Sequence, residues 1–180
     1  KARSETKLAF ADYPKQEILR PVKGSFIFLS LMAALLLNLL PLKGTALTLC
    51  PDFIALTILY WCINQPQRVG MSTAFSMGLL MDIGNASTFG QHALSYSIMA
   101  FVALLFQRRL HNFGSLKQAP QMGLILLTGQ SIMLLTWLLD GSNVPGWNFF
   151  IASATGTVLW PLFSSLLRIP QRPRSDSSAL

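Results

Sequence analysis

Polar and apolar positions along this chain fall into long blocks. Gly24–Leu42 carries no charge and reads FIFLSLMAALLLNLLPL at its centre. Its nineteen residues give about 28 Å of helix, close to the thickness of bilayer hydrocarbon. Asn38 is the one strongly polar member of this run, and Pro41 closes it. Leu47–Ile63 is the second run. Pro51 and Asp52 interrupt its start, so the regular helix is expected to begin near Pro51: proline suits the first turn and an acid suits the positive end. It stops at Asn64-Gln65-Pro66 and is short for a span, so it must be buried, tilted or extended by an ordered lead-in.

The pattern continues with a third helix over Arg68–Ile83 and a small, polar loop from Gly84 to Gly90. A fourth span covers His92–Phe106, and Gln107–Pro120 reads as a basic loop. The fifth span, Gln121–Leu139, is closed by Asp140-Gly141. The sixth, Trp147–Leu167, runs into the basic residues Arg168, Arg172 and Arg174. The reading is an all-α polytopic membrane protein with six transmembrane helices over residues 24–168. It is flanked by a charged, largely disordered tail at 1–23, with a short helix near Lys15–Leu19, and a basic tail at 169–180. A four-span alternative merges the second and third runs into one hairpin dipping into the membrane.

Composition agrees with lipid as the outer solvent. Hydrophobic residues make up 52% of the chain and charged residues 12%, against about 25% charged in ordinary soluble domains. With the N-terminus placed in the cytoplasm, 13 of the 14 Lys and Arg residues fall on the cytoplasmic side, leaving only Lys43 outside. That is a strong positive-inside pattern, and with both tails inside it requires an even number of spans. The net charge of +7 therefore reports topology. No RNA-binding signature or aromatic platform accompanies the basic residues, and nucleic-acid binding is not expected. The polar stretch ahead of the first apolar run, with no convincing cleavage site after it, does not read as a signal peptide. Cys50 and Cys62 lie about 18 Å apart if they share one helix, too far for a disulfide.

Catalytic chemistry is not expected. There is no CxxC, HExxH, GxSxG or glycine-rich phosphate loop. His92 and His111 fall in different loops on opposite sides, and no loop has room for a soluble catalytic domain. No catalytic residue, metal site or cofactor is assigned, and the chain shows no polar pocket of the kind a vitamin needs.

The third helix carries the most information. Gly70, Ala74, Gly78 and Asp82 recur every four residues and share one face. Small residues in such a row allow close backbone approach, either within the chain or to a partner's helix. Asp82 and Asp140 end their helices at the negative pole of the dipole, where an acid is disfavoured, so both need solvent or a partner. The simplest reading of Asp82 is an acid solvated at headgroup level. Tyr60-Trp61 reads as an interfacial anchor, and Arg68 as a topology determinant with inner-face contacts.

Pro51-Asp52-Phe53, Leu59-Tyr60-Trp61, Pro66-Gln67-Arg68-Val69, Phe75, Gly78, Asp82 and Gly90 stand in an order and spacing that resembles the rod shape-determining protein MreD family. Leu159-Trp160-Pro161 resembles that family's C-terminal end. The likeness is continuous over residues 51–90 and agrees in hydropathy over 24–168. Two departures stand out: a longer, more charged N-terminal tail, and Asp52 where a neutral polar residue is more usual.

The resemblance implies a non-enzymatic scaffold of the bacterial inner membrane, part of the cell-elongation machinery. Its implied partners are a single-span MreC-type protein, the peptidoglycan glycosyltransferase/transpeptidase complex and, indirectly, actin-like filaments; a homo-oligomer is compatible with it. The resemblance also implies a fold similar to the substrate-binding subunits of energy-coupling-factor importers. A vitamin-importer subunit is the alternative function. Against it, the first helix has adjacent Ala33-Ala34 and no Ala-x-x-x-Ala spacing. A channel or transporter would need inverted repeats and midplane charges that are missing here.

Overall fold

The computed structural model describes residues 22–41, 49–85, 90–141 and 146–171. The N-terminal tail to residue 21, Lys43, loop residues 86–89, and the C-terminal stretch from residue 172 with Arg172 and Arg174 lie outside the described residues. Among the described residues the chain is all-helical. The helices are α1 Gly24–Asn38, α2 Phe53–Asn64, α3 Met71–Asn85, α4 Gln91–His111, α5 Ser115–Leu139 and α6 Ile151–Arg168. Short 3₁₀ turns, Trp147–Phe150 and Ile169–Gln171, flank α6. The element order matches the hydropathy blocks.

The boundaries differ most in the basic loop expected at Gln107–Pro120. There α4 continues to His111 and α5 starts at Ser115. The reason is Gln118, whose Nε2 donates to the carbonyls of Leu110 at 2.8 Å and Phe113 at 2.9 Å. The Leu110 carbonyl also accepts from Phe113 N–H at 3.1 Å, so Gln118 ties the short turn after α4 to the first turn of α5. Pro120 lies near the start of α5, where its missing N–H forgoes a single ladder bond.

Helix α2 is the centre of the bundle. Every residue from Ile54 to Ile63 is buried. Its 12 residues rise only about 18 Å, less than a bilayer core. The short run is therefore accommodated by burial among its neighbours: α1, α4 and α6 pack around it. Tyr60 and Trp61 belong to this core and are fully buried, so they are not interfacial anchors. Trp61 Nε1 donates to Ser30 Oγ of α1 at 2.9 Å, and the Phe26 ring meets the indole edge-on at 6.0 Å. Tyr60 Oη accepts from Gln171 Nε2 at 2.9 Å. The indole and phenol each bring a polar atom inward and satisfy it there.

Consecutive helices run antiparallel. Helices α3 and α4 form one hairpin and α5 and α6 another, with α4 also packed along α5. Ser95 Oγ donates to the Gly129 carbonyl at 2.9 Å between α4 and α5. Trp160 Nε1 of α6 donates to Gln118 Oε1 of α5 at 3.3 Å. Outward faces are apolar: Leu124, Leu135 and Leu138 on α5 and Val158, Leu162 and Leu166 on α6 are all exposed. Helix Ser115–Leu139 and the segment Trp147–Arg168 are long and apolar enough to cross a membrane. Gly24–Asn38 and Phe53–Asn64 are apolar but shorter. A surface with this much exposed leucine fits hydrocarbon outside the bundle.

Charge is segregated by end. Among the described residues Lys23, Arg68, Arg108, Arg109, Lys117 and Arg168 sit at or just beyond one set of helix termini, while Asp52, Asp82 and Asp140 sit at the opposite set.

Candidate functional site

The acidic end of the bundle holds two hydrogen-bonded carboxylate centres and a cavity. The first centre is Asp82. It lies in the last turn of α3, where the dipole opposes it, yet it is 2% exposed. Its partner is the start of α4. Gly90 N–H donates to Oδ2 at 2.9 Å, His92 N–H to Oδ1 at 2.9 Å, and Ala93 N–H to Oδ2 at 3.3 Å. His92 Nδ1 lies 2.7 Å from Oδ1. No side chain of its own caps α4, because the N-cap is Gly90 at φ +93°. The carboxylate of the preceding helix does so instead. Four N–H groups lack partners in any isolated helix start, and a negative charge there is favoured by the dipole. The positive pole of α4 thus answers the unfavourable pole of α3, and Asp82 is a buried cap rather than an acid solvated at headgroup level.

Gly78, one turn earlier, explains how the two helices come close enough. A Cβ at Gly78 would sit 2.5 Å from Ala93 N and 2.7 Å from the His92 carbonyl carbon, and closer still to Ala93 Cα. Ala74 is fully buried on the same face. This row is covered by α4 of the same chain. Gly70 does not belong to the tight contact: it precedes α3, and a Cβ there would meet only Leu104 Cδ1 at 3.9 Å. The exposed face of α3 carries Met71, Phe75, Leu80 and Ile83 instead.

The second centre is Asp52, the N-cap of α2. Its Oδ1 accepts from Ala55 N–H at 2.9 Å and from Asn38 Nδ2 at 2.8 Å. Its Oδ2 accepts from Tyr96 Oη at 2.6 Å. Asn38 Oδ1 in turn accepts from Phe53 N–H at 3.0 Å. One carboxylate therefore joins the end of α1, the start of α2 and the second turn of α4. His92 stacks edge-on against Tyr96, with ring centroids 5.8 Å apart, which brings the two centres together.

Between these helices and the α5–α6 hairpin lies a cavity of about 1050 Å³. Asn38, Asp52, Gln91, His92, Gln130 and Ser153 contribute its polar wall. Ser153 Oγ donates to Gln130 Oε1 at 2.6 Å, and Gln130 Nε2 donates to the Phe149 carbonyl at 2.9 Å. Met99, Leu126, Met133, Trp137 and Phe149 make much of the apolar wall. The composition of the runs gives no hint of such a pocket, so the expectation that a polar pocket is missing is corrected here. Its polar residues come one or two at a time from separate helix ends.

The motif residues divide between the two ends. Pro51 lines the cavity. Gly90 supplies the left-handed turn into α4. At the basic end Arg68 Nη1 donates to the Val22 carbonyl at 2.6 Å, tying the α2–α3 turn that contains Pro66 to the start of α1. Trp160 is fully buried and Pro161 lies within α6. Tyr60 and Trp61 are core residues of α2, between the ends. Sequence reasoning missed Tyr96, His92, Gln91 and Gln118. A sharp signal existed for His92 alone: an acid at a helix end followed, after a loop, by a glycine with no capping side chain.

A family model described as rod shape-determining protein MreD matches residues 20–169. Rod shape-determining protein MreD of Haemophilus influenzae is 29% identical over 138 residues, which cover 75% of this chain and 83% of that protein. No solved structure matches.

Proposed function

From the premise that the chain belongs to the rod shape-determining protein MreD family, and so acts in rod shape determination, we propose that it works as a multi-pass scaffold of the bacterial inner membrane. The family is one of shape-determining proteins, and a non-enzymatic role follows from that reading. In this proposal all six helices occupy the bilayer as residues 24–168, in a fold like that of energy-coupling-factor substrate subunits. The tails at 1–23 and 169–180 both lie in the cytoplasm. The basic end of the bundle then faces inward and the acidic, cavity-bearing end outward, in keeping with the positive-inside rule.

The scaffold would hold the membrane helix of an MreC-type partner. Through it, cytoplasmic actin-like filaments would be linked to lateral peptidoglycan synthesis. The observation that carries the reading is that the family match extends over the whole helical bundle, residues 20–169. With Ala74, Gly78 and Asp82 covered by α4, the partner surface proposed on α3 moves to its exposed row, Met71, Phe75 and Ile83. The test is cysteine cross-linking in cells from these three positions, combined with rescue of rod shape in a strain lacking its own copy. Capture of the single-span partner with rescue is expected. Full rescue without capture from any of the three positions would overturn the α3 contact, and failure of the unmodified chain to restore rods would overturn the scaffold role.

The alternative of a vitamin-importer subunit has the cavity in its favour. It still lacks the Ala-x-x-x-Ala spacing in α1.

A further inference from the structure

The scaffold reading leaves the cavity unused. At about 1050 Å³ it lies at the upper end of the range of small-molecule pockets. Two features of its wall select a chemistry. Gln91 is 2% exposed and lines the cavity, yet its Oε1 accepts no hydrogen bond among the described residues. Buried acceptors are nearly always paired, so an open one on a cavity wall points to a donor arriving from outside the chain. Asp52 is the second feature. Its carboxylate accepts from three neutral donors, the Asn38 amide, the Ala55 N–H and the Tyr96 hydroxyl, and forms no ion pair with a described residue. Two carboxylate oxygens offer about four acceptor positions, so one remains. Asp52 is only partly buried, and a carboxylate partly shielded from water with no cation beside it attracts one.

The remaining wall agrees. No Lys or Arg is among the described residues that line the cavity. Trp137 and Phe149, with ring centroids 5.0 Å apart, face it and offer π surfaces suited to a cation or an apolar body. We propose that this cavity binds a small molecule bearing a protonated primary amine, whose N–H groups are donated to Gln91 Oε1 and Asp52 while its apolar body lies against Trp137 and Phe149. The amine belongs either to a soluble compound or to a lipid headgroup.

The test uses the full chain in phosphatidylcholine nanodiscs, with empty nanodiscs as the blank. Three probes of similar size are titrated by calorimetry: phenethylamine, 3-phenylpropan-1-ol and 3-phenylpropionate. Saturable binding of the amine, at least tenfold tighter than the alcohol or the acid, is expected. Asp52→Asn should weaken it at least tenfold, but Asp52 also joins three helices and this variant can fail to fold. Gln91→Met is therefore the decisive variant. It removes an acceptor that no described residue uses, so it should leave the melting temperature unchanged or raised while weakening the amine at least tenfold. Nanodiscs containing phosphatidylethanolamine separate the two sources. Competition with phenethylamine assigns the site to a lipid amine, and its absence to a soluble one. No saturable binding of the amine, equal binding of the acid, or unchanged affinity in Gln91→Met at normal stability would overturn the proposal.

Discussion

Replacing Gly78 with alanine adds one methyl group at the tightest contact between α3 and α4. The new Cβ would lie 2.5 Å from Ala93 N and 2.7 Å from the His92 carbonyl carbon, where carbon needs about 3.5 Å or more. These obstacles are backbone, so no side chain can rotate away, and the helices must separate by about 1 Å. Overpacking of this kind costs about 1–3 kcal/mol. Asp82 lies one turn further along the same face, and its bonds to Gly90, His92 and Ala93 at 2.9–3.3 Å would stretch with the separation. Losing one charge-assisted bond adds about 1.5–3 kcal/mol. The sum is about 2.5–6 kcal/mol, or a fall of roughly 5–24 °C in melting temperature for a chain of this size. Gly70→Ala is the matched control, since its Cβ meets only Leu104 Cδ1 at 3.9 Å; it should stay within about 0.5 kcal/mol of the parent or gain slightly. The assay is thermal unfolding of the detergent-solubilised chain followed by size-exclusion chromatography, with rod-shape rescue in parallel. Equal stability of Gly78→Ala and the parent, or equal damage from Gly70→Ala, would refute the hairpin contact as the reason for glycine at position 78.

Asp82→Asn keeps the shape but gives up the charge that caps α4. A loss of about 1.5–3 kcal/mol is expected in the same melting assay, and full stability in the variant would show that the cap contributes nothing. Trp61→Phe removes the Nε1 bond to Ser30 while keeping most of the ring. It should cost about 0.5–1.5 kcal/mol, and combining it with Ser30→Ala should cost less than the sum of the two single changes.

The helices were legible because outward-facing and core-facing positions are both apolar, which makes each element a long unbroken run. The same property hid which face points inward. Nothing in α2 separates Tyr60 and Trp61 as core residues from interfacial aromatics, since both settings use an apolar ring with a polar tip. The four-residue spacing correctly placed Ala74, Gly78 and Asp82 on one face, but it could not rank Gly70 below Gly78, because rank depends on where α4 crosses. An acid at the positive end of α2 was readable from Pro51-Asp52, but the helix starts at Phe53, so Asp52 is its N-cap and Pro51 lies before the first turn rather than in it. The ties of Asp52 to Asn38 and Tyr96 were not readable, being set 14 and 44 residues away by packing. The cavity was the least legible feature, assembled from single polar residues at separate helix ends, each unremarkable within its own run.

The cap that Asp82 gives to α4 bears on how the chain is made. A nascent α3 released alone would carry a bare carboxylate at its end, and a nascent α4 alone would carry open N–H groups at its start. Entering together, each hides the other's liability. Under the six-span proposal, the α3–α4 hairpin is the unit that would leave the insertion machinery. A chain truncated after Asn85 should fail to hold α3 across the membrane when its position is mapped by glycosylation tags, while one extended past His111 should hold both helices.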